Sequence, residues 1–194
     1  CARAWLKMGE IFVSLNQQEK ARICFDRVIS QFSSSLSEFH RALLYQSTLA
    51  IESIENRREC CQKLLTLKNV EPSLRAEAWI VLGDLSLTQG NVSEALQYYG
   101  NALEIEEVPN AKALAFLKIG DVFRREGQEE IAQRMYFSIL KQFGDAPLWR
   151  ERAGHRILEQ IQGSPEMRIA QYRQMMEKFV EYPSLLAEAQ LAIV

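Results

Sequence analysis

Trp79-x2-Leu82-Gly83-x2-Ser86, followed by Ala95-x3-Tyr99-x2-Ala102, is the stretch on which the reading of the fold turns. Apolar residues fall three and four apart on both sides of a break at Gly90, which is the pattern of two amphipathic helices joined by a short turn. The same spacing recurs. Trp5-x2-Met8-Gly9-x2-Phe12 leads to Ala21-x3-Phe25-x2-Val28, and Phe116-x2-Ile119-Gly120-x2-Phe123 leads to Ala132-x3-Tyr136-x2-Ile139. Trp5 and Trp79 are 74 residues apart and Trp79 and Phe116 are 37 apart, so the period is 37, with one unit concealed between the first two copies. One helix pair cannot bury its apolar face alone, so a fixed period of such pairs points to a stacked array.

These residues resemble the tetratricopeptide repeat family, whose pattern is W-x2-L-G-x2-Y followed by A-x3-F. The resemblance covers nearly the whole chain and departs from the family in two ways: the period is 37 where 34 is usual, and the family's late proline is mostly missing. It implies an all-α, right-handed superhelix of about five helix pairs plus one terminal helix. The expected units run over 2–36, 37–73, 74–109, 110–145 and 146–182, with a half unit over 183–194. In such pairs the glycine at the eighth position and the alanine at the twentieth bring the two helices close. The aromatics at the fourth and twenty-fourth fill the space between pairs. A plain bundle would accommodate the helices without a fixed period, and HEAT-like repeats lack the Trp–Gly spacing.

Two units depart from the signature. In strict phase the second offers Ala42, Tyr45 and Gln46, so its glycine is absent. Asn56-x2-Glu59 reads as a helix N-cap box like Asn16-x2-Glu19 and Asn91-x2-Glu94, which would put Cys60 at the small-residue position and Leu64 at the aromatic one. The fifth unit lacks the glycine in its first helix, while Ser164 and Pro165 open its second. Tyr172, Met175 and Phe179 repeat the spacing of Phe25, Val28 and Phe32. Tyr182-Pro183 then breaks the chain before a last helix. Both ends read as unfinished, so a piece of a longer array, or a homo-oligomer formed through uncapped ends, is expected.

Composition narrows the function. The chain has 194 residues, 47 % hydrophobic and 25 % charged, with net charge −2 and the cations spread along it. That balance lacks the basic face nucleic acid demands, and no stretch has the ~20 apolar residues of a membrane span. Cys1, Cys24, Cys60 and Cys61 have neither zinc-site nor disulfide-framework spacing and are expected to be buried or half-buried thiols. His40 and His155 are 115 residues apart, and no phosphate loop, dinucleotide loop or nucleophile elbow is present. No enzyme, cofactor or metal site is expected.

The resemblance implies a surface for another protein or a peptide, with first helices lining a concave groove. The groove positions carried over include Leu6, Glu10, His40, Leu43, Glu77, Ile80, Asp84, Leu117, Asp121, Arg124 and Arg125. Chemically this is an apolar strip of Leu6, Leu43, Ile80 and Leu117 beside the acids Glu10, Asp84 and Asp121, suited to a peptide with apolar anchors and some positive charge. Arg124 and Arg125 could grip an acidic group or simply end a helix. The Lys and Asn that clamp a terminal carboxylate in chaperone-binding members are replaced by Leu6 and Glu10, and by Ile80 and Asp84. The rival expectations are a structural segment that self-associates through its ends and a regulatory arm of a larger protein. Phe179, Tyr182 and Pro183 are similar to an ending of periplasmic bacterial members, whereas the cysteines favour the cytoplasm, so the compartment stays open.

Overall fold

The computed structural model describes residues 1–144 and 146–193, which form eleven helices and no strand. They are α1 (Ala2–Ser14), α2 (Gln18–Gln31), α3 (Leu36–Thr48), α4 (Ile54–Thr66), α5 (Pro72–Thr88), α6 (Val92–Leu103), α7 (Pro109–Arg125), α8 (Glu129–Gln142), α9 (Pro147–Glu159), α10 (Pro165–Lys178) and α11 (Pro183–Leu191). Two compact units are formed, Cys1–Val108 and Pro109–Val194. The prolines carry a signal that the signature motif passes over. All five open a helix, where the missing N–H costs no hydrogen bond. Pro72, Pro109, Pro147 and Pro183 each begin a first helix, at spacings of 37, 38 and 36.

In the first unit α1 pairs with α2, α3 with α4 and α5 with α6, and successive first helices also touch, α1 with α3 and α3 with α5. Three of the chain's hairpins, α1–α2, α5–α6 and α7–α8, share one device. A Cβ on Gly9 would stand 2.8 Å from Phe25 Cδ1, one on Gly83 2.7 Å from Tyr99 Cδ1, and one on Gly120 2.9 Å from Tyr136 Cδ1. The glycine's surface is therefore the seat of the aromatic ring from the second helix. This corrects the expected pairing of glycine with alanine: Ala21, Ala95 and Ala132 are fully buried, but the ring occupies the space that the glycine leaves. Each of these aromatics is itself fully buried, worth about 1.5–3 kcal/mol of transfer free energy. The fourth-position rings lie half-buried nearer the hairpin edge, with Trp79 stacked on Tyr98 at 5.7 Å and Arg27 over Trp5 at 4.5 Å. The turns are closed by left-handed residues, Asn16 (φ 55°), Gly90 (φ 80°) and Gly127 (φ 73°).

The second hairpin differs from its sequence reading. Ser53, not Asn56, caps α4, accepting the Asn56 N–H at 3.1 Å. Asn56 is the third residue of the helix, and Asn16 belongs to the preceding turn and caps nothing. Counted from Ser53, Cys61 occupies the aromatic's place and Leu64 the next buried place, and both are fully buried, whereas Cys60 is half-buried. The partner in the glycine's place is Ser47, buried and hydrogen-bonded to the Leu44 carbonyl at 2.6 Å. Two small side chains thus replace a glycine and a ring. The phase of α3 advances by one residue, so Ala42 matches Ala78 and Ala115, all fully buried. Burial pushes both the Cys60 and the Cys61 thiol up to about 11, and they stay protonated at neutral pH.

In the second unit α7 pairs with α8, and α9 packs on α7, α8 and α11. Ser164 caps α10 as expected, accepting the Met167 N–H at 3.3 Å, and Pro165 is its first residue. Yet α9 and α10 do not make the close backbone pairing of the other hairpins. Leu158, buried, stands six residues before its cap just as Ser47 stands six before Ser53, so a leucine fills the place that must be small for helices to nest. Phe179, fully buried, and Met175 hold α10 to the core. Gly154 serves another neighbour. A Cβ there would lie 2.9 Å from Leu185 Cδ2, so it admits α11. Ser184 donates to Glu151 at 2.6 Å and His155 Nδ1 is 2.6 Å from Glu188, which sets α11 parallel to α9 as α9 is to α7.

Candidate partner-binding groove

The eleven groove residues divide sharply by exposure. Leu6, Ile80 and Leu117 are 3 %, 4 % and 5 % exposed, and Leu43 only 1 %. They form core layers and not an open apolar strip, because each points under its neighbouring helix: Leu6 packs with Phe25 and Ala42, Leu43 with Leu64 and Ala78, and Leu117 with Tyr136 and Ile139. His40 is also buried, its Nε2 has no hydrogen-bond partner among the described residues, and burial lowers its pKa, so it is a neutral core imidazole. The one-residue advance of α3 explains both misplacements in the second hairpin. Arg41 and Leu44 hold the places assigned to His40 and Leu43.

The acids are accessible but committed. Asp84 accepts from the Tyr99 hydroxyl at 2.6 Å, and Asp121 accepts from Tyr136 at 2.8 Å, the same fifteen-residue spacing twice. Each tyrosine that seats on its glycine thus delivers its hydroxyl to the acid next along the first helix. Burial, with the Asp121 carboxylate beside it, holds the Tyr136 phenol far above its ordinary range. The first hairpin has Phe25 in that place, and Glu10 turns instead to Lys7 and to Tyr45 of the next first helix, whose phenol is raised first by burial and then by Glu10. Asp121 likewise accepts from Arg156 Nε of the next first helix at 2.9 Å. These bonds set the register between successive first helices.

Glu77 is exposed and lines a small groove between α3 and α5 of about 200 Å3, with Arg41, Tyr45 and Glu71 around it. Arg124 pairs with Glu159 at 2.9 Å, and Arg156 reaches the same carboxylate at 3.1 Å. Burial opposes charge on Glu159, but the two guanidiniums outweigh it and its carboxyl sits below the ordinary range. Arg124 therefore closes a helix-to-helix contact, while Arg125 is exposed. Between α7 and α9 lies a groove of about 400 Å3 lined by Leu114, Lys118, Asp121, Trp149, Arg152 and Arg156 among others. Arg152 stacks over Trp149 at 4.7 Å. Trp149, Arg152 and His155 do not stand out in the sequence, because the fifth unit lacks the glycine that would set its phase.

No group of His, Cys, Asp or Glu among the described residues stands together in a way that could hold a metal ion, and no helix among them is long and apolar enough to cross a membrane. Two family models described as "Tetratricopeptide repeat" match the chain, over residues 3–35 and 76–109. These are the first and third expected units, the two whose signature opens with tryptophan. No curated protein matches. Among solved structures, the chain is similar to the crystal structure of a thermophilic TPR protein in Thermus thermophilus, at 18 % identity and a TM-score of 0.60, covering 100 % of this chain and 99 % of that one. Ring-on-glycine hairpins stand at both matched stretches and again in α7–α8, so the chain carries tetratricopeptide repeats over residues 3–35 and 76–109 and shares the all-α repeat fold of that structure.

Proposed function

We propose that the chain is a protein–protein interaction scaffold that holds a peptide or partner protein along its first helices. The observation that carries this is the groove between α7 and α9. There Leu114 and Trp149 are half-buried and Arg152 exposed, an apolar floor with a cation at its edge. Such a surface takes a segment with apolar anchors and suitably placed polar groups. The smaller groove between α3 and α5 supplies a second contact of mixed charge, from Arg41, Glu71 and Glu77. A cationic ligand is not favoured as the sequence alone suggested, because Asp84 and Asp121 already accept internal hydrogen bonds. Their charge reversal would disturb the hairpins as well as the groove.

The test is a peptide-array screen with the purified chain, its hits titrated against wild type, Leu114→Glu and Arg152→Glu. Affinity falling about tenfold in both groove variants, with melting temperature unchanged, supports the reading. Hits indifferent to both substitutions reject the groove.

A further inference from the structure

A cleft of about 580 Å3 lies away from that groove, where α8, α9 and the end of α10 meet. Its apolar surface is Phe137, Leu140 and the ring of Tyr182, and its rim carries Lys141, Arg150 and Lys178 against a single acid, Glu181. The cations are poorly matched within the fold. Lys178 Nζ sits 4.5 Å over the Phe137 ring, and no carboxylate among the described residues pairs with it or with Lys141. Arg150 lies 4.6 Å over Tyr182 and 3.9 Å from the exposed Glu181, and its Nε is buried with no acceptor. The cations between α7 and α9 are better occupied: Arg156 holds Asp121 and Glu159, and Arg124 also holds Glu159.

We propose that this cleft is a second binding site, taking an acidic peptide segment with an aliphatic or aromatic anchor. The anchor lies on Phe137 and Leu140, and its flanking carboxylates meet Lys141, Lys178 and Arg150. Separate residues make it independent of the groove between α7 and α9.

The test uses the full chain and a fluorescein-labelled octapeptide of Glu flanking two Leu, with a counterpart carrying Lys for Glu. Anisotropy should report binding of the acidic peptide only, weakened about tenfold or more by the double variant Lys141→Glu, Lys178→Glu and unchanged by Arg152→Glu. Amide shifts in the wild-type chain should fall on α8 and on residues 176–182. That readout decides the matter even where the double variant fails to fold. No binding of the acidic peptide at millimolar concentration overturns the proposal. So do equal binding of the Lys peptide, and loss caused by Arg152→Glu with the double variant still binding. Because Arg152 reports the groove separately, failure of this site and failure of the scaffold reading are told apart.

Discussion

The hairpins α1–α2, α5–α6 and α7–α8 differ from α3–α4 and α9–α10 at matched places along the chain. In the first group eight residues separate the buried glycine from the cap of the second helix: Gly9 to Gln17, Gly83 to Asn91, Gly120 to Gln128. A left-handed residue turns the chain, and the cap residue's side chain makes no bond to the helix. In the second group six residues separate Ser47 from Ser53 and Leu158 from Ser164, and the serine hydroxyl accepts from the helix. Ala21, Ala95 and Ala132, four residues after their caps, become Arg57 and Arg168. Helix approach is thus set by the summed size of two facing positions. Glycine with a ring and serine with cysteine both let helices nest; leucine does not, and α10 is held by its neighbours instead of by α9.

The sharpest way to break this comparison is to fill the seat of a ring. Gly83→Leu or Gly120→Leu should cost about 3 kcal/mol, seen as a lowered urea midpoint, since the displaced ring also loses its hydrogen bond to Asp84 or Asp121. An unchanged midpoint would dissolve the glycine class. Converting one class toward the other comes next. Cys61→Phe alone should cost about 2 kcal/mol by overpacking against Ser47, and adding Ser47→Gly should return about 1 kcal/mol. A double variant less stable than Cys61→Phe would show that these positions do not face each other as the rings and glycines do.

The caps give a smaller contrast. Ser53→Ala and Ser164→Ala should each lose about 1 kcal/mol, whereas Asn91→Ala, whose side chain makes no cap bond, should lose about 0.5 kcal/mol or less. Equal losses in thermal melts would erase the distinction. Smallest is Tyr136→Phe, expected to cost about 0.5 kcal/mol because Asp121 keeps Arg156 as a partner. A much larger loss would mean that the hydroxyl, and not the seated ring, holds that hairpin together.

Legibility follows these two classes. The glycine hairpins can be read almost to their helix boundaries, because ring, glycine and alanine are chemically rare enough to fix the phase. In α3 nothing distinctive marks the phase, and a one-residue advance moves His40 and Leu43 from an expected face into the core. Four expected groove residues are apolar and buried, since a leucine at a helix–helix seam and one facing a ligand look alike in sequence. The two serine caps differ in the same way. Ser164 is legible beside Pro165, but Ser53 is masked by Asn56, which satisfies the same box pattern three residues later.

From the order of residues alone came the period, the helical class, the places of the three glycine hairpins and the absence of recognised catalytic motifs. These depend on local spacing, which helix geometry converts directly into a face. Tertiary structure decided the rest: which acids are already spoken for by tyrosines, which leucines are covered, and where cations stand around a cleft without enough carboxylates. Those properties belong to pairs of residues from different helices, and no single helix's sequence determines what its neighbour brings to the contact.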